Sequence, residues 1–275
     1  MSVLAQRVLT AAVLIGLLIL VLFFLPPIVR LVFFAAFLLF GAWEWSGFVS
    51  PDSLLIRWLY VATLAAVAAI TANLIQEGFV LHPLLWIALA WWIAIACWML
   101  SGGAVLSMPA VMLAGVMGLL PAWYVVIRLF GSDQGSWLFV WVASIVAAAD
   151  TGAFFMGRAI GRIKLAPAIS PRKTREGMIG GVGFAALVGA GGALIAGQNA
   201  VVFAFGSAAI ALASVAGALL VSVCKRRVGL KDSGWILPGH GGVLDRIDGL
   251  LAALPLFLLL LVTLGVLNND LISSR

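Results

Sequence analysis

Five basic and three acidic side chains crowd the stretch Ser222–Asp248, SVCKRRVGLKDSGWILPGHGGVLDRID, in a chain where only 9% of residues are charged. Placing an ionised side chain in a bilayer costs roughly 2.5–3.5 kcal/mol, so charges gather where something polar must be handled. Asp245 and Asp248 are spaced i, i+3, which on a helix puts two carboxylates on one face. Asp232 can return to the same place, because the intervening PGHGG is a tight turn with a permissive backbone. Carboxylates converging at an interface repel unless a cation lies between them. A hard ion such as Mg²⁺, which takes carboxylates together with substrate phosphates, suits this set. Pairing of Asp232 with Lys231 and of Asp245 with Arg246 accounts for two of the acids and leaves Asp248 unexplained.

The turn itself, Gly239-His240-Gly241-Gly242, lets backbone N–H groups approach an anion closely. His240 there can contact phosphate or act as an acid or base. Lys225-Arg226-Arg227 ends an apolar run, where cations favour a helix C-terminus and also stand ready for phosphate. A second charged segment, Arg158 to Glu176, carries six basic residues with Ser170, Arg172, Lys173, Thr174 and Glu176 near its end. That composition suits a triphosphate or a lipid phosphate, with Arg offering bidentate contacts and Lys a point charge. Asp150, in AAADTGAFFMG, is an acid between apolar residues. Such a residue faces a partner or a polar cavity, so Asp150 either joins the metal group or pairs with Arg158. Glu44, Glu77, Asp52 and Asp133 fall at span ends or in loops and read as solvated.

The elements that must position these groups are membrane helices. Of 275 residues 64% are hydrophobic, and apolar runs recur along the whole length. About twenty such residues cross a hydrocarbon core of about 30 Å, and the alternating strands of about ten residues that mark a barrel are absent. The fold class expected is all-α, a polytopic integral membrane protein with about nine spans: 8–25, 28–45, 56–75, 83–100, 108–127, 137–157, 179–196, 201–224 and 249–267. The first apolar run exceeds a signal peptide's hydrophobic region and reads as a retained span. Residues 1–135 then hold five spans without a motif, and 136–275 form a catalytic region with charged loops at 158–178 and 225–248. With nine spans, Arg7, Arg57 and all the basic residues of the two charged loops share one face, against Arg30, Arg128 and Arg275 on the other. The charged loops therefore belong in the cytoplasm.

Trp43, Trp45, Trp58, Trp123 and Trp137 read mainly as interfacial anchors, and Cys97 and Cys224 as buried thiols without a metal spacing. The glycine-rich seventh span suggests close helix packing. The absence of an internal repeat weighs against a transporter built of duplicated halves. Nucleic acid is a poor partner for basic residues confined to short loops between spans.

The run from Ser222 to Asp248 resembles the signature of the phosphatidate cytidylyltransferases, or CDP-diacylglycerol synthases. Ser222, Lys225, Arg226, Lys231, Asp232, Pro238, His240, Gly241, Gly242, Asp245, Arg246 and Asp248 fill its positions with unchanged spacing. Asp150, Gly157-Arg158, Ser170-Pro171, Lys173-Thr174 and Glu176-Gly177 are similar to a second block of that family, with Arg175 in place of an aromatic. The resemblance implies the reaction of CTP with phosphatidate to give CDP-diacylglycerol and pyrophosphate, dependent on Mg²⁺ and with room for a second, monovalent or divalent, cation. On it, Asp232, Asp245, Asp248, Lys231, His240 and Arg246 are catalytic, and Asp232, Asp245, Asp248 and Asp150 hold metal. Ser222, Lys225, Arg226, Ser170, Arg172, Lys173, Thr174, Glu176, Gly241 and Gly242 then bind substrate. Expected partners are CTP, phosphatidate, membrane lipids and, as one option, a second copy of the chain. The expected location is the cell inner membrane. Two alternatives stand beside this reading: a CTP-dependent kinase of a lipid alcohol, which would release CDP, and a cation-coupled transporter.

Overall fold

The computed structural model describes residues 3–79, 82–103, 106–236 and 241–267. Among them run nine helices: α1 (Val3–Phe24), α2 (Pro27–Val49), α3 (Leu54–Gln76), α4 (His82–Leu100), α5 (Met108–Phe130), α6 (Gly135–Ile160), α7 (Arg175–Ile195), α8 (Ala200–Arg227) and α9 (Leu244–Thr263). Each expected span is met by one of them, with ends displaced by five residues at most. Eight are long and apolar enough to cross a membrane, and α1 contributes the apolar run Ala12–Phe24. The chain is a multi-pass integral membrane protein.

The displaced ends have physical causes. Helix α9 begins at Leu244, earlier than its hydrocarbon run, because Asp245 in the first turn suits the positive end of the helix. Helix α8 continues through Lys225, Arg226 and Arg227, cations that suit its negative end. Thr174 caps α7 by accepting from the N–H of Gly177 at 3.1 Å. The charged segment before α7 is more ordered than a loop. Strands β1 (Lys164–Ala166) and β2 (Ser170–Thr174) pair antiparallel, with Lys164 opposite Thr174 and Ala166 opposite Ser170.

Helix α7 lies between α6 and α8, α8 against α9, and α9 also against α4 and α5, while α2 packs on α3 and α5. One core runs through both halves of the chain, with Trp45, Phe48 and Tyr124 joined to Phe203 and Phe257. Glycines set the closest approaches, as the seventh span suggests. A Cβ at Gly181 would lie 2.4 Å from the carbonyl oxygen of Ala149 on α6, and one at Gly217 on α8 would lie 2.5 Å from that of Asp248 on α9. Backbone meets backbone at both crossings, so α6, which carries Asp150, is held close on α7, and α9, which carries Asp248, close on α8.

Three assignments change. Trp45 and Trp123 are core residues rather than interfacial anchors, their indole N–H groups donating to the carbonyls of Val111 at 2.8 Å and Ala68 at 3.1 Å. Cys224 is buried as expected, whereas Cys97 is exposed on α4.

Replacing Gly217 with Val forces a side chain against the α9 backbone and is expected to cost about 1–3 kcal/mol, as overpacking does. Thermal unfolding in detergent measures it, with Gly183→Ala, whose added methyl meets nothing within 4 Å, expected to match the parent.

Candidate active site

The site is built on the first turn of α9. Asp245 accepts from Lys225 Nζ, near the end of α8, through Oδ1 at 2.5 Å. Its Oδ2 accepts from the N–H of Ser233 at 2.8 Å and of Gly242 at 3.2 Å. One carboxylate thus ties both ends of the connecting segment back onto the helix that follows it. Its cation is Lys225, not the neighbouring Arg246. Gly241 stands between Asp245 and Asp232 with φ +83°, a conformation that favours glycine. A Cβ there would lie 3.0 Å from Asp245 Oδ2 and 3.3 Å from Asp232 Cβ. Asp232 and Lys231 are exposed at the rim.

One turn on, Asp248 receives the N–H of Gly249 at 2.7 Å. Its electrostatic neighbours are Lys173 from β2, Asp150 from α6 and Lys225 from α8. Asp150, which keeps an exposed face, feels Lys173 and Arg246 rather than Arg158. Lys173 is therefore a charge neighbour of two acids from different helices. Burial pulls its ammonium below the usual lysine range, opposed by Asp248 and Asp150 and aided by Lys225. Among the described residues no three acids lie close enough for one shared ion. Asp232 and Asp245 flank Gly241, Asp150 and Asp248 are charge neighbours of each other and of Lys173, and Lys225 acts on Asp245 and Asp248.

Several expected substrate ligands are committed to the backbone. Both oxygens of Glu176 accept from the N–H of Ile163, at 3.1 and 3.2 Å, closing the hairpin. Thr174 is the buried cap of α7, and the Ser222 hydroxyl donates to the Ala218 carbonyl at 2.8 Å within α8. Arg226 donates to the carbonyls of Leu230 at 3.3 Å and Ile169 at 3.5 Å, joining α8 to the hairpin tip. Gly242 is buried, Ser170 is half-buried, and Arg172 is exposed. His240 lies outside the described residues.

One residue read as solvated is not. Glu44 on α2 is 4% exposed and accepts from Ser233 Oγ at 2.8 Å and from the N–H groups of Val243 at 2.9 Å and Leu244 at 2.8 Å. The feature that singles out Asp150, an acid set in an apolar run, applies equally to Glu44 in FLLFGAWEWSGFV.

Beside the charged cluster lies a cavity of about 440 Å³ lined by Leu14, Phe33, Phe37, Phe139, Leu250 and Leu254, with Arg246 also on its wall. Its size falls in the ~300–1,000 Å³ range of small-molecule sites. Arg246 thus touches the hydrocarbon-lined space and is also a charge neighbour of Asp150.

The sequence profile of the Cytidylyltransferase family matches residues 5–264. A phosphatidate cytidylyltransferase of Pseudomonas aeruginosa is 35% identical over 275 residues, covering 95% of this chain and 98% of its own. That of Haemophilus influenzae is 37% identical over 281 residues, covering 92% and 97%. That of Helicobacter pylori is 37% identical over 219 residues, covering 73% and 80%.

Lys225 and Asp245 have side chains only 12% and 7% exposed, so removing one partner strands the other. Lys225→Met is expected to lower stability by about 3–5 kcal/mol. Adding Asp245→Asn should cost less than the sum of the single changes by about 0.5–3 kcal/mol in a double-mutant cycle of unfolding midpoints.

Proposed function

The chain belongs to the cytidylyltransferase family, and from that premise we propose that it converts CTP and phosphatidate to CDP-diacylglycerol and pyrophosphate. The observation that carries this reading is the position of Arg246, shared between a hydrocarbon-lined cavity and the acid–lysine cluster. A substrate with an acyl chain and a phosphate needs both environments within one molecular length.

In the reaction a phosphate oxygen of phosphatidate attacks the α-phosphorus of CTP. A new P–O bond forms as the bond to the β-phosphate oxygen breaks, and pyrophosphate leaves. A phosphomonoester has its second pKa at about 6, so the nucleophile is already largely dianionic at neutral pH and needs no strong base. The barrier is the approach of two anions and the charge on the leaving group. Catalysis then rests on positioning and electrostatics. Lys173, Lys225, Lys231 and Arg246 supply positive charge, and Arg172 and Arg226 extend it toward the exposed rim.

The acids fit a divalent ion. Asp150 and Asp248 are charge neighbours from two helices, and Mg²⁺ binds through one or two carboxylates plus substrate phosphates. Bound there, Mg²⁺ would neutralise charge on the phosphoryl oxygens. Asp245 is committed to Lys225, Ser233 and Gly242, so its part is to hold the loop that presents Asp232 and Lys231. The bias of Lys and Arg supports a cytoplasmic orientation for this face, on the side where CTP is available.

Purified protein given CTP, Mg²⁺ and phosphatidate is expected to release pyrophosphate and CDP-lipid in equal amounts. Asp248→Asn should reduce turnover at least about 100-fold, the scale seen when one electrostatic stabiliser is lost. Release of CDP, or full turnover by the variant, would overturn the assignment.

A further inference from the structure

We infer that Glu44, on a helix of the motif-free N-terminal half, is a positioning residue for this transfer, holding the first turn of α9 where Asp245 and Asp248 must stand. The inference rests on the reading above and adds a group to its machinery. The first N–H groups of any helix lack partners within it. Val243, at the cap position of α9, has no side chain that could supply one. Glu44 supplies it from α2, taking the N–H of Val243 on Oε1 and that of Leu244 on Oε2. A carboxylate at this end also meets the positive pole of the helix, and bonds to a charged acceptor are the stronger kind.

The surrounding sequence is shaped to admit that carboxylate. A Cβ at Gly234 would lie 2.3 Å from Oε1, and one at Gly242 would lie 2.5 Å from Oε2. Neither position can carry a side chain while Glu44 occupies its place. One turn earlier on α2, a Cβ at Gly41 would lie 3.5 Å from the Ile247 side chain, so α2 and α9 already run close together there. Ser233 joins the two anchors, its N–H donating to Asp245 and its hydroxyl to Glu44. The segment that bears Lys231 and Asp232 is held from one side by α9 and from the other by α2.

Buried against backbone, Glu44 acts on the reaction only through what it holds. Its loss frees the first turn of α9 relative to Lys173 and Asp150, which stand on β2 and α6. A displacement of about 1 Å in a catalytic constellation can cost about 100-fold in rate.

The test uses the full chain in lipid nanodiscs, with Glu44→Gln, Glu44→Asp and Ser233→Ala. Glu44→Gln keeps the shape but loses the charge and one acceptor. Its kcat is expected to fall about 10- to 100-fold, with the KM for phosphatidate changed less than about twofold. Amide deuterium exchange should quicken at Val243, Leu244 and residues 231–236 and stay unchanged in α7. Glu44→Asp, which restores the carboxylate, should recover most of the lost kcat. Ser233→Ala, which removes a single bond, should show a smaller fall in kcat should Glu44→Gln not fold. Parental kcat in Glu44→Gln, or exchange that quickens equally in every helix, would overturn the inference. Exchange reads the clamp without turnover, so failure of the transfer reading and failure of this one give different results.

Discussion

No ionised group at the edge of a bilayer is stable alone, and that requirement organises the catalytic end of this molecule. Apart from Asp232, which stands exposed at the rim, the acids there are answered by cations or N–H donors, most of them brought from other elements. Asp245 is answered by Lys225 and two backbone amides, Asp248 and Asp150 by Lys173, and Glu44 by the start of α9 and Ser233. Because the partners come from α2, α6, β2, α8 and α9, satisfying the charges also locks five elements together. Breaking one such pair would leave the other member uncompensated in a poorly solvated place, which costs more than the pair itself contributes.

The helix frame makes that network rigid. Where side chains would act as spacers, glycines at 181 and 217 let one backbone rest on another, so Asp150 and Asp248 are carried by helices with little freedom to slide. The hairpin that brings Lys173 is tied in the same spirit, through Glu176 to Ile163 at its base and Arg226 to Ile169 near its tip. Polar residues that look like ligands in the sequence thus serve as scaffold, closing the hairpin and fixing it to α8.

What was legible depended on the range of the interaction. Spans follow from hydropathy alone, and the shared face of Asp245 and Asp248 follows from i, i+3 spacing, since both are local properties of the chain. The partners of Glu44 lie 189–200 residues away in sequence, so nothing in its neighbourhood announces them. Trp45 and Trp123 were open to misreading for the same reason, since a tryptophan near a span end looks alike whether its N–H meets headgroups or a buried carbonyl. Glu176 and Thr174 show the converse. Their polarity was plain, but whether a carboxylate or hydroxyl serves a ligand or the nearest unpaired N–H is decided by the turn of the backbone.

The chemistry explains why so much of the structure is spent on holding charge still. A dianionic lipid phosphate is already a competent nucleophile, so the protein gains little from a base. The difficulty is to bring it against a triphosphate, and flexible cations would have to reorganise as charge moved along the reaction coordinate. Cations and carboxylates held by packed helices have done that reorganisation during folding. Arg246 sits where this matters most, with apolar cavity on one side and Asp150 on the other. On the proposed reading, a phosphate attached to a hydrocarbon chain would meet it there. A soluble enzyme could build the same charge cluster, but it would have to extract the lipid first. On the proposed reading, placing the cluster at the first turn of α9, where the chain re-enters the hydrocarbon, would let the acyl chains stay in the apolar phase while the phosphate reacts.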